Sequence, residues 1–268
     1  MNETLRKQSL NKLEKFINCG ILSYSSKRNY DFGPSNRSNI SILSPYIRKR
    51  ILHEKEVIKK CLEHFSLNKI EKFIQEVFWR VYWKGWLEGR VKVWENYTKN
   101  LKSLITEYSF GEKKNNYNLA LQGKTGINCF DDWINELINY GYLHNHSRMW
   151  FASIWIHTLR LPWELGANFF LKNLIDGDPA SNTLSWRWVA GLHTNGKSYV
   201  ATEDNIKKFT NERYTQKNIL NKQITLPEFQ SFMFEKREFD TQIFSNENNL
   251  ILLNINNLSY LNETLDVM

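Results

Sequence analysis

The sequence predicts an all-α protein, and three observations carry that prediction. Glycine and proline are sparse, 12 and 5 in 268 residues. Apolar residues recur at spacings of three and four over long stretches, the period of a helix with one buried face. Alternating, strand-like patterns are few.

The elements follow in order. Leu10 to Ile17 has a short amphipathic pattern, and Ser23 to Asn39 is polar and turn-rich, reading as a long ordered loop. Ser44-Pro45 opens a helix, because a serine cap followed by proline suits a first turn, and the pattern carries it through Leu62. A second helix covers about Leu67 to Tyr97, with Gly85 and Gly89 as irregular points. A third starts at Asp131 or Asp132 and stops near Gly141. A fourth runs from Ser147 to Arg160 before Pro162, a fifth starts near Trp163, and Asp178-Pro179 opens a sixth that ends at Gly191. The Asn-rich segment from Gln223 to Met268 holds an apolar patch, Asn249 to Leu261, that reads as a strand or a packed extension.

Composition excludes several classes. With 41% apolar and 14% aromatic residues the chain can bury a sizeable core, which rules out disorder as its whole character. Lys+Arg exceed Asp+Glu by 36 to 28, a net charge of +8 that attracts phosphate backbones and anionic surfaces. Cys19, Cys61 and Cys129 are too few and scattered for a disulfide framework or a closed zinc site. Met149 to Ile156, the most apolar run, falls short of the roughly 20 residues that cross a bilayer, and Met1 to Leu10 lacks an apolar signal core. These features point to a reducing, cytoplasmic setting.

Chemistry concentrates in a few places. On the second helix Ile70, Phe73, Ile74, Val77, Phe78 and Val81 form the core stripe, while Glu76, Trp79, Arg80 and Trp83 share the roughly opposite face. A carboxylate, a cation and two indoles together suit the wall of a cavity that stacks and hydrogen-bonds a flat ligand such as a base. The plainer alternative is a Glu76–Arg80 pair with two tryptophans packed on a neighbouring helix. Asp176 and Asp178 stand just before the sixth helix and Asn182 one turn inside it. Asp178 suits the cap, and Asp176 needs a cation, for which Arg148 is the candidate. Serines around Ser41 and Ser44 suit phosphate oxygens. His144, His146 and His157 have no second ligand cluster, so no metal is expected. Ten tryptophans permit either packing or one-electron traffic between a buried redox group and the surface.

Six motifs then coincide in order and spacing: Tyr24-Ser-Ser-Lys-Arg-Asn29, Ser41-Ile-Leu-Ser-Pro-Tyr46, Glu76-Val-Phe-Trp-Arg80, Gly123-Lys-Thr-Gly126 with Asp131, His144-Asn-His-Ser-Arg-Met149, and Asp176-Gly-Asp-Pro-Ala-Ser-Asn182 followed by Trp186-Arg-Trp188. Over about residues 21–214 the chain resembles the flavin domain of the photolyase/cryptochrome family. The resemblance implies a helical FAD-binding domain at 21–214, preceded by a leader helix at 1–20 and followed by an extension at 215–268. It implies no room for that family's N-terminal light-harvesting domain and hence no antenna chromophore.

The resemblance further implies that Tyr24, Ser41, Leu43 and Ser44 hold the FAD diphosphate region. Arg148 and Asp176 pair beside the isoalloxazine, Asp178 contacts the flavin or ribityl region, and Asn182 faces the reactive flavin nitrogen. Glu76, Trp79, Asn145, Met149 and Trp188 match the lesion-contacting residues of enzymes that split cyclobutane pyrimidine dimers, with Glu76 also catalytic. Six-four photoproduct enzymes commonly carry His where Asn145 stands, which favours the cyclobutane dimer. His146, where relatives often have Arg, weakens one DNA contact. Trp186 and Trp163 match the inner two tryptophans of a photoreduction chain, but Tyr108 to Gln122 supplies no third, only Tyr108, Phe110 and Tyr117. The implied activity is light-driven repair of UV-damaged DNA by a monomer with reduced FAD. The alternatives are a light-sensing flavoprotein of cryptochrome type and a helical nucleic-acid binder without cofactor.

Overall fold

Thr4 caps the first helix by accepting a hydrogen bond from the Lys7 amide, and α1 then runs over Leu5–Cys19. The structure is a computed structural model and describes residues 4–224 and 227–236. After a 3₁₀ turn at Ile21–Ser23 come α2 (Tyr24–Lys27), α3 (Ser44–Arg48), α4 (Glu54–His64), α5 (Leu67–Glu88) and α6 (Val91–Glu107). The remaining helices are α7 (Gly111–Leu121), α8 (Asn128–Tyr140), α9 (Asn145–Ser153), α10 (Trp163–Asn173), α11 (Pro179–Val189) and α12 (Glu203–Phe209). Among the described residues the only β-type pairing is an isolated bridge, Thr194 to Lys197. The apolar patch at 249–261 lies outside the described residues.

Two apolar cores organise these helices. In the first, Leu13, Phe16 and Ile17 of α1 meet Leu43, Ile47, Leu52, Val57 and the buried stripe Ile70, Phe73, Ile74 and Val77 of α5. In the second, Trp133, Trp150, Phe151, Trp155, Leu165, Phe170 and Trp186 join α8, α9, α10 and α11. Helix α11 touches α5, α9 and α10, and α10 also packs on α6, so α11 sits at the centre of the site region.

Two expected helices divide. The stretch expected to be helical from Ser44 to Leu62 breaks after Arg48, where Arg50 turns left-handed at φ +57° and the chain buries Leu52 completely. His53 then caps α4. The helix expected from Leu67 to Tyr97 ends at Gly89. Phe234 packs there where a Cβ would approach it to 2.2 Å, and the Glu235 amide donates to the Gly89 carbonyl. The third helix starts earlier than expected, at Asn128, and stops at Gly141, whose φ of +62° supplies the left-handed end. The fourth passes from α9 into a π-helical turn, Ile154–Thr158. There the Trp155 indole donates to the Pro162 carbonyl. Asp178 caps α11 with Pro179 at its first turn, as the Asp-Pro pair predicts.

Candidate functional site

The loop from α10 to α11 places two carboxylates within the fold. Asp176 is 5% exposed and Asp178 4%. The Asp176 Oδ2 accepts from Arg148 Nη2 at 2.9 Å and from Ser44 Oγ at 2.5 Å. Burial alone would raise its pKa, but the Arg148 charge and the hydrogen bonds from Arg148 and Ser44 outweigh it and hold the carboxyl below its usual range. The Arg148 partner expected from sequence is therefore present, and Ser44 joins it from 132 residues away. Asn182, one turn into α11, donates from Nδ2 to the Ala167 carbonyl at 2.8 Å. That bond fixes its amide plane against α10.

Asp178 serves twice. Its Oδ1 accepts from the Ser181 amide, closing the helix cap, while its Oδ2 lies 3.5 Å from Arg48, 3.7 Å from Arg80 and 3.8 Å from Lys84. Arg48 also donates to the Gly177 carbonyl, and Arg80 to that of Ser44. Burial drives the Arg80 pKa down, against the attraction of Asp178. Sequence reasoning missed this cation cluster. Its signal was available in part, since Arg80 and Lys84 are one turn apart on α5, as Ser44 and Arg48 are on α3.

The residues fit an anionic, hydrogen-bonding cofactor. Three cations converge on one carboxylate, which leaves positive charge for phosphate oxygens. Buried Asp176 Oδ1 and Arg80 Nη1 have no hydrogen-bond partner in the structure. Such groups are costly when left unsatisfied. Just before α3, Ile42 adopts φ +50° and Leu43 follows at φ −90°, ψ −12°, a left-handed then right-handed pair that turns successive amides toward one side. A β-branched residue at positive φ is strained. Ser41 and Ser44 flank this turn and are partly exposed. Tyr24 packs its ring edge-on to Phe16 and Phe73, with its phenol beside Arg28.

The exposed face of α5 contrasts with this wall. Glu76 pairs with Arg28 of the loop after α2, not with Arg80, which turns inward to Asp178. Trp79 is 48% exposed and stacks on Trp83 at 5.6 Å between centroids. Phe78 and Val81, expected in the core stripe, are exposed instead. The stripe ends at Val77 because α4 does not extend over the second half of α5.

The other residues assigned to a substrate lie on α9 and α11. Asn145 is exposed at the first turn of α9, and Met149 follows one turn later on the same face, partly exposed. Trp188 is partly exposed and stacks on Tyr199 at 5.5 Å. His144 caps α9 by accepting from the His146 amide. Burial pushes its pKa down to about 4, against the pull of Asp31. Asp31 itself accepts from Ser147 and pairs with Arg213. His146 faces the Asn29 carbonyl and stacks on Trp150 at 4.0 Å.

Trp186 is 2% exposed, and its rings approach Phe151, Trp155 and Phe170. Trp163 opens α10 and lies 5.3 Å from the ring of Tyr97, which meets Trp94 at 5.2 Å. Tyr117, from the segment without a tryptophan, lies 5.9 Å from Trp155 and 6.0 Å from Tyr108.

Comparison with known proteins follows the same outline. The sequence model of the family described as the FAD binding domain of DNA photolyase matches residues 73–221. A deoxyribodipyrimidine photo-lyase of Agrobacterium fabrum is 30% identical over 186 residues, 68% of this chain and 37% of that protein. One from Buchnera aphidicola is 28% identical over 202 residues, 72% of this chain and 40% of the other. Among solved structures, a bacterial class III photolyase from Agrobacterium tumefaciens superposes with a TM-score of 0.64 at 27% identity, covering 77% of this chain and 42% of that one. A Synechocystis cryptochrome gives a TM-score of 0.63 at 22% identity, a likeness of fold. This chain spans about two fifths of the length of these relatives. No helix among the described residues is long and apolar enough to cross a membrane.

Proposed function

The chain belongs to the family of the FAD-binding domain of DNA photolyase, and from that premise we propose that it binds FAD and repairs UV-damaged DNA as a monomer, splitting cyclobutane pyrimidine dimers under blue light. The observation that carries this reading is the placement of α5. Its exposed face offers Glu76 and Trp79, while Arg80 and Lys84 on the same helix reach the buried carboxylate Asp178. One rigid element thus joins a substrate face to a cofactor wall.

In this reading Ser41, Leu43 and Ser44 hold the diphosphate, with Tyr24 at the edge, and Arg48, Arg80 and Lys84 add the charge that phosphates require. Arg148 and Asp176 form a fixed pair beside the ring system, Asp178 anchors the ribityl side, and Asn182 presents its amide to the reactive nitrogen. Reduced FAD, when bound, supplies an electron on excitation and takes it back after the dimer opens. Trp79 and Trp188 stack the lesion, and Asn145 and Met149 shape its pocket. Glu76 hydrogen-bonds the pyrimidine edge on which negative charge develops, a stabilisation felt only after electron transfer. Trp186 and Trp163 would relay electrons to the flavin from an external reductant.

The test is light-dependent repair of an oligonucleotide with one defined thymine dimer, using reduced, flavin-loaded protein and a dark control. Splitting in the light alone supports the reading. Flavin binding with a light response but no splitting favours a light-sensing flavoprotein, and absence of flavin after reconstitution overturns both.

A further inference from the structure

An unfilled surface groove opens beside α4. Ile58, Leu62, Phe78 and Val81 line a groove of about 750 Å³ between α4 and the second half of α5. Leu62 is 43% exposed, Phe78 55% and Val81 48%, an apolar patch that soluble surfaces seldom leave open without a use. Its rim is predominantly basic. Arg50 and Glu54 neutralise each other at 2.6 Å, which leaves Lys55 and Lys59, with His53 beside them, against the single acid Glu63.

We propose that this groove is the seat of a segment of the same chain, the apolar stretch Asn249 to Leu261. Three facts select that occupant. The first is composition: Leu250-Ile-Leu-Leu253, Ile255, Leu258, Tyr260 and Leu261 give enough apolar side chains to fill a groove of this size, and asparagines between them suit an edge open to water. The second is charge. Residues 237–268 carry one basic side chain, Arg237, against five acids, Glu238, Asp240, Glu247, Glu263 and Asp266, in a protein whose net charge is +8. An acidic segment is drawn to a basic rim, and Glu247 and Glu263 bracket the apolar stretch.

The third is position. The described chain reaches Lys236 at the end of α5, where the Glu235 amide donates to the Gly89 carbonyl and its carboxylate meets Lys92 at 3.3 Å. Val81 lies eight residues back along that helix, about 12 Å at 1.5 Å per residue. The 12 residues between Lys236 and Asn249 can span up to about 40 Å when extended. Reach therefore does not limit the docking, and the strap at 232–235 already delivers the chain to the correct helix.

The experiment uses the full chain at low concentration, with a zero-length carbodiimide crosslinker that joins carboxylates to nearby lysines, and maps the products by mass spectrometry. Mixing ¹⁴N- and ¹⁵N-labelled protein separates links within one molecule from links between two. The expected product joins Glu247 or Glu263 to Lys55 or Lys59 within one molecule. The Lys92–Glu235 pair serves as an internal standard. Phe78→Asp, at a site already exposed, should lower that product at least fivefold and leave the Lys92–Glu235 link unchanged. Links from the tail acids only to lysines elsewhere, links only between isotopically distinct copies, or full persistence of the product in Phe78→Asp would each overturn the proposal.

Discussion

Asp176 and Glu76 are both carboxylates paired with arginine, yet they belong to different physical regimes. The side chains of Asp176 and Arg148 are 3% and 23% exposed, whereas those of Glu76 and Arg28 are 33% and 29% exposed. Asp176 is further tied by Ser44. Removing one partner from a buried pair strands the other charge in low dielectric. Opening a partly exposed pair returns both charges to water and costs about 0–1 kcal/mol. The contrast teaches a division of labour: the α10–α11 wall is built before any ligand arrives, while the α5 face can exchange the arginine on Glu76 for a pyrimidine edge.

The comparison breaks most sharply at Asp176. Asp176→Ala leaves Arg148 buried without its partner, and chemical denaturation should show a loss of about 3–5 kcal/mol together with loss of flavin absorbance. Stability unchanged within 1 kcal/mol would mean that the wall is not preformed.

Acid should act through the same buried region. His144 titrates at about 4 in the fold against 6.5 when free, so the unfolded chain takes up a proton that the folded chain refuses. Its contribution is fully present above pH 6.5 and is lost as the pH falls toward 4, a change of roughly 3 kcal/mol at 1.36 kcal/mol per unit. Asp31 and Asp176, both held below their usual range, add losses at still lower pH. Denaturation of His144→Gln across this range should show a shallower decline. An equal slope would remove the assignment.

Gly166→Ala sharpens the packing side of the comparison. A new Cβ would stand 2.3 Å from the Trp186 ring and 3.0 Å from Trp155, so α10 and α11 must separate. Overpacking of this kind costs about 1–3 kcal/mol, measurable as a lowered melting temperature. On the open face, Trp79→Ala should leave stability within about 0.5 kcal/mol but weaken binding of a dimer-containing oligonucleotide by roughly 1–3 kcal/mol, read by fluorescence anisotropy.

Much of this division was legible in the sequence, and the residues show why. Asp178-Pro179 announces a helix start through local chemistry alone, and Gly141 a helix stop, because capping depends on neighbours in the chain. Arg148 was legible as the partner of Asp176 because a lone acid between apolar helices requires a cation. Long-range pairings were not. Glu76 could have met Arg80 at helical spacing, and nothing local says that Arg28, 48 residues away, takes that place while Arg80 joins Arg48 and Lys84 on Asp178. Periodicity likewise placed Phe78 and Val81 in the core, since a helix repeat reports which face is apolar and not how far its neighbour extends. The break at Arg50 escaped because burying Leu52 is a tertiary demand that overrides a continuous helical pattern.

The most direct test of the account is repair per absorbed photon by Glu76→Ala at saturating thymine-dimer oligonucleotide, with flavin content measured on the same sample. The account predicts parental flavin occupancy and a clearly lowered yield, because the cofactor wall is intact and only the group facing the developing charge is gone. A yield equal to the parent's would contradict it and leave Glu76 as no more than the surface partner of Arg28.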